Sequence, residues 1–270
     1  MSLSLHKAAL AALLVCDPRE KCEAVVQLKR DCDEGRLKPV PDDPVQAVTE
    51  PGRPERPALV APAEVPNRRL GAQDGHAALL HAIAHIEFNA INLALDCAYR
   101  FRHLPDDFYR GWIDVAAEEA YHFTLVRERL LELGAEYGDF PAHDGLWQMT
   151  VKTADDPLAR MALVPRVLEA RGLDATPPIM AKLRGIGDQK TLSILDIILR
   201  DEIGHVALGD HWFRYFCSER DLEPEAHYRL LIDAFDAPWP RPPLNRPARL
   251  AAGFSPAELE VLAQPRPRRR

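Results

Sequence analysis

Asp201-Glu202-Ile203-Gly204-His205 sets a carboxylate and an imidazole three residues apart, so on a helix both side chains leave the same face and can reach one metal ion. Glu118-Glu119-Ala120-Tyr121-His122 repeats the pattern 83 residues earlier. Each copy lies within an apolar stripe of helical period, where a carboxylate without a counter-charge is costly to bury. Working outward from the two motifs, Glu87 precedes Glu119 by 32 residues and Glu169 precedes Glu202 by 33. The chain therefore reads as two similar halves, each a helix with one glutamate followed by a helix with Glu-x-x-His. A dinuclear metal site inside a four-helix bundle needs this set of ligands. The competing explanation is a buried salt-bridge network, which needs cations on the facing stripes, and Arg166 is the clear candidate there.

Helix signals place the ligands. The first core helix is expected from about Asp74 to His103, the second from Pro105 to Gly134, the third from Asp156-Pro157 to Gly172, and the fourth from Asp188 to about Cys217. Pro165 lies four residues before Glu169 and frees the carbonyl of Met161, so a local irregularity is expected beside that ligand. Gly204 and Gly209 in the fourth helix suggest close helix approach or open space. Thr176-Pro177-Pro178 is read as the start of a separate short helix ending at Gly185. The stretch from Ala135 to Asp156 is a long crossover between core helices two and three.

The flanks are decoration on residues 74–217. Residues 1–36 form an N-terminal helical segment, with Asp17-Pro18 opening its second helix and Gly35 closing it. Residues 37–73 form a proline-rich extended strap. Residues 218–270 hold a helix from about Pro224 to Phe235, a proline-rich arm, a last helix with Ser255-Pro256-Ala257-Glu258 as its capping box, and a basic tail from Arg266 to Arg270.

Composition bounds the function. A net charge of −7 argues against a surface dedicated to coating nucleic acid. No apolar run approaches the roughly 20 residues of a membrane span, and no membrane association is expected. The stretch Ala8–Cys16 resembles a signal sequence only superficially: Lys7 is its one basic flank and Val15 stands where a small residue is needed. Five widely spaced cysteines without a Cys-x-x-Cys suit reduced core thiols and a cytoplasmic setting. Oxygen-rich ligation with two imidazoles favours two iron ions, or manganese, over zinc. Glu118 and Asp201, the acids before each motif, are positioned to orient the imidazole of the opposite copy. His81 and His85 lack the motif spacing and are read as surface or crossover-packing residues, and Tyr121 is read as a core residue.

With these residues in view, residues 74–217 resemble the ferritin-like di-iron carboxylate superfamily. The Asp201–His205 motif, its leading acid included, is similar to that of bacterial multicomponent monooxygenases. Leu168-Glu169-Ala170-Arg171-Gly172-Leu173-Asp174 and His85-Ile86-Glu87-Phe88-Asn89-Ala90 resemble an uncharacterised bacterial ferritin-like family that looks distantly like tRNA-modifying di-iron hydroxylases. The resemblance implies an all-α ferritin-like four-helix bundle whose long crossover joins parallel helices two and three. It implies metal ligation by Glu87, Glu119, His122, Glu169, Glu202 and His205, with Glu119 and Glu202 bridging or chelating. The implied chemistry is that of an oxidase or hydroxylase using oxygen or peroxide; the alternative is an iron-binding ferroxidase without an organic substrate. An oxidase would need an external electron donor, a reductase or ferredoxin, since no flavin or nicotinamide fingerprint is present. A monomer or homodimer is expected; the distant resemblance and the Arg266–Arg270 tail suggest tRNA as substrate, and a small lipid or metabolite is equally allowed.

Overall fold

The computed structural model describes residues 3–66, 68–72 and 74–266. It is all-α apart from a two-residue parallel pair, β1 (Leu3–Ser4) with β2 (Leu37–Lys38). The chain forms two compact units, Met1–Val151 and Lys152–Arg270.

In the first unit α3 (Gly75–Arg100) packs along α4 (Asp106–Glu132), with α1 (Leu5–Leu13) against α3 and α2 (Pro18–Asp33) against α4. Asp17 accepts hydrogen bonds from the backbone of Arg19 and Glu20, and Gly35 adopts φ +69 just past the end of α2. By length and mean hydropathy α3 reaches the threshold of a membrane span, contrary to the sequence expectation. Its apolar stripe, however, packs against α4, and a second stripe of buried polar residues, His85, Asn89, Asn92 and Asp96, follows the helical period along it. That polar stripe meets partners from the flanks. Buried Lys21 donates to Asn92 Oδ1 at 2.6 Å and to the Leu13 carbonyl at 2.7 Å, and Arg100 pairs with Asp96 at 2.7 Å. Between β2 and a 3-10 turn at Pro62–Glu64 the proline-rich segment has neither helix nor paired strand among the described residues, apart from a single bridge at Leu59. It is pinned by Tyr99 to Gln46, by Trp147 Nε1 donating to the Thr49 carbonyl at 2.8 Å, and by a bridge between Leu59 and Ala142. At Gly52 any Cβ would collide with the backbone of Leu14, whereas the bare glycine lets its N–H donate to the Leu13 carbonyl at 2.9 Å. The crossover contains a helix the sequence did not announce, α5 (Gly145–Lys152).

In the second unit a long helix packs against α8 (Gln189–Glu219). The long helix is α6 (Pro157–Leu163), a π-helical segment (Val164–Glu169) and α7 (Ala170–Gly185) in direct succession. Asp156 and Asp188 cap the starts of α6 and α8 by accepting from Leu158 N–H and Thr191 N–H. The irregularity expected at Pro165 is the π segment: Ala170 N–H reaches back five residues to the Pro165 carbonyl.

The helix does not end at Gly172, and Thr176-Pro177-Pro178 does not begin a new one, because α7 carries both prolines internally. Pro177 has no N–H for the Leu173 carbonyl, and Asn245 Nδ2 donates to that carbonyl instead at 3.0 Å. Asp174 then accepts from Asn245 N–H and pairs with Arg249 at 2.7 Å. The arm following α9 (Pro224–Ala234), with α10 (Arg246–Ala251), thus completes α7. The last helix, α11 (Pro256–Leu262), is capped by Ser255 Oγ accepting from Glu258 N–H, but the Glu258 side chain is not the return half of a capping box. It pairs with Arg166 at 2.7 Å instead. Four residues of the basic tail, 267–270, lie outside the described residues.

Candidate metal centre

Residues Glu87 on α3 and Glu119 and His122 on α4 are buried, and the ligand atoms of these three lie within 4.8 Å of one another. His122 Nδ1 is 3.2 Å from Glu87 Oε2 and 3.5 Å from Glu119 Oε2. Two ligand atoms that share one ion at bonds of roughly 2.1 Å sit about 3 Å apart when adjacent, so these spacings suit a common ion. The second unit repeats the local geometry, with His205 Nδ1 3.6 Å from Glu202 Oε1. Both are buried on α8, while Glu169 is half-buried at the last position of the π segment. Within the first unit the buried side chains Glu87, Glu119 and His122 could hold a metal ion.

Electrostatics in the first unit follow from burying two acids around one imidazole. Burial, then the charge of Glu119, pushes the Glu87 carboxyl well above the usual range, against the pull of His122. For His122 burial favours the neutral ring, yet hydrogen bonds and attraction from Glu119 and Glu87 prevail and raise it. The metal-free cluster therefore keeps protons that a cation would displace.

Arg166, the cation required for a structural salt-bridge network around these acids, is committed elsewhere. Arg166 is buried, pairs with Asp210 at 2.9 Å and Glu258 at 2.7 Å, and lies over the rings of Phe213, Tyr228 and Phe254. All of these partners belong to the second unit.

Of the other sequence candidates, Asp201 pairs with Arg200 at 2.8 Å, and Glu118 is exposed. Tyr121 is not a core residue: at 51% exposure it points outward from α4, because the motif puts Glu119 and His122 on the inner face and position 121 opposite them. His81 and His85 pack the crossover. Gly138 N–H donates to His81 Nε2 at 2.9 Å, and His85 lies 2.9 Å from the Tyr137 hydroxyl and 3.1 Å from the His143 carbonyl. Burial pushes both rings down to about 4, so they are neutral at pH 7.

Sequence reasoning gave Asn89 and Asn92 no role. With His85 and Tyr137 they line a cavity of about 10 Å³, room for a single water molecule. The signal was present as polar residues at helical spacing within an otherwise apolar helix. Gly209 is a site of close approach, since a Cβ there would lie 2.3 Å from Pro165 Cβ, whereas Gly204 faces open space.

Comparisons with known proteins agree with this layout in extent. An uncharacterized protein of Haemophilus influenzae is 46% identical over 266 residues, covering 92% of this chain and 90% of the relative. No solved structure matches the chain. Residues 14–260 match one family from just past α1 into α11, a span that contains both Glu-x-x-His motifs and the glutamate preceding each. The chain belongs to that family, described as protein of unknown function (DUF455).

Proposed function

We propose that the chain is a dinuclear non-haem metal oxidoreductase, an oxidase or hydroxylase, with α3, α4, α6–α7 and α8 as the helices of a ferritin-like bundle. The observation that carries it is the repeated geometry: each motif histidine turns Nδ1 toward the glutamate three residues before it, at 3.5 and 3.6 Å. Glu87, Glu119 and His122 would hold one ion and Glu169, Glu202 and His205 the other. Four carboxylates offset two divalent cations, which suits two irons or two manganese ions. Such a pair, when bound, supplies redox chemistry toward oxygen or peroxide.

The chain's own residues do the rest. Burial excludes bulk water from Glu119 and His122, and a bound cation would compete with protons for Glu87 and His122. Asp201 and Glu118 orient the imidazoles, so Asp201→Asn should keep the metal while lowering affinity or turnover by roughly 10- to 100-fold. Parent-like affinity and turnover in that variant remove the orienting role. Electrons arrive from an external reductase or ferredoxin. The protein works in the cytoplasm as a monomer or homodimer, and tRNA is the substrate to try first. An unchanged nucleoside profile in total tRNA from a deletion strain removes tRNA.

Metal analysis of protein prepared with iron tests the core of the proposal. About two ions per chain are expected, and a content well below that overturns it. A large shell with many irons per chain on size exclusion points instead to iron storage with ferroxidase activity.

A further inference from the structure

A groove of about 480 Å³ opens in the second unit where the proline-rich arm passes the start of α7 and the end of α11. Its volume is that of a small-molecule site. Arg171, Arg241, Arg266 and Trp239 line it with four prolines, and no acidic residue does. In a chain with 41 acidic against 34 basic side chains, such a lining departs from the average surface.

The three arginines are not equivalent. Arg266 is a strut: it pairs with Asp233 at 2.7 Å and donates to the carbonyls of Ile232 and Ala237, both at 3.3 Å. Arg171 and Arg241 are exposed, and neither forms an ion pair or side-chain hydrogen bond among the described residues. Each offers a planar fork of donors suited to a phosphate. Trp239 is held by Nε1 donating to the Gln264 carbonyl at 2.8 Å, so its ring is fixed before any ligand arrives.

The prolines narrow the ligand class. Pro238, Pro240, Pro242 and Pro265 have no backbone N–H, so the rim has few of the main-chain donors that strand addition by an extended peptide uses. What remains is recognition by charge and by stacking, the combination that single nucleotides use. We propose that this groove binds a nucleotide, with its phosphate on Arg171 and Arg241 and its base against Trp239. The inference is independent of the metal centre, because none of the proposed ligands lines the groove.

Calorimetric titration of the full chain with AMP, adenosine, inorganic phosphate and a short single-stranded RNA tests it. AMP should bind at least about tenfold tighter than either fragment, and R171A/R241A should weaken AMP by at least about tenfold. Trp239→Phe should retain most AMP binding while Trp239→Ala loses it. An unchanged melting transition shows that these variants are folded. RNA binding well above AMP, lost in the same variants, assigns the nucleotide to a strand; equal binding assigns it to a free nucleotide. Undetectable AMP binding, AMP affinity unchanged in R171A/R241A, or equal binding of an oligoglutamate peptide overturns the proposal.

Discussion

The α3–α4 pair and the α6–α8 pair carry the same ligand pattern on backbones of different regularity. In the first, Glu87 sits in an uninterrupted α-helix and the three clustered residues are buried deeply. In the second, Glu169 ends a π segment, Glu202 retains 9% exposure, and Gly204, between the two motif residues, is exposed on the outer face of α8. One half is built to fix ligand positions. The other relies on a fixed contact, Pro165 against Gly209, that holds α8 close to the irregular turn carrying Glu169.

Breaking the ligand set should have the largest effect. Glu119→Ala and Glu202→Ala should each lower metal stoichiometry, read by metal analysis, and lower the melting temperature of the loaded protein; two ions retained in either variant refutes the assignment. Next comes Arg166→Met in the second half. It leaves buried Asp210 and Glu258 to the half-exposed Arg214, at 2.7 and 3.8 Å, and should cost about 2–3 kcal/mol in urea unfolding. A loss below about 1 kcal/mol shows that the buried pairs contribute little.

The glycines sharpen the contrast through opposite signs. Gly209→Ala forces Pro165 aside and should cost about 1–3 kcal/mol. Gly204→Ala meets nothing and should stabilise α8 by up to about 1 kcal/mol. Equal effects at the two positions would erase the distinction between clamp and open space.

The smallest effect belongs to pH in the first half. The depressed His85 ring binds fewer protons folded than unfolded, so its contribution is complete above pH 6.5 and lost as pH falls toward about 4. His85→Gln should flatten that part of the stability profile, and an unchanged slope means that other groups set it.

The ligand helices were legible because their signals are local: Asp156, Asp188 and Ser255 cap where the sequence places caps, and Pro165 distorts the turn that carries Glu169. What escaped depends on partners far away in the chain. Pro177 and Pro178 read as a helix start because the donor that compensates for them, Asn245, lies 72 residues downstream of Leu173. Glu258 fits a capping box locally, but Arg166, 92 residues earlier, takes its carboxylate. The polar stripe from His85 to Asp96 was visible as a pattern, yet its meaning required Lys21 and Tyr137, which come from other segments.

The Asn245 contact also orders events during synthesis. A chain made from the N-terminus can complete its first unit by residue 151, but α7 has its Leu173 carbonyl unanswered until residue 245 has left the ribosome. At about 5–20 residues per second, that interval lasts several seconds, during which the earlier half can be folded while the later half waits for its last quarter. Termination between the end of α7 and Asn245 would leave a finished first unit attached to a helix whose Leu173 carbonyl lacks its donor.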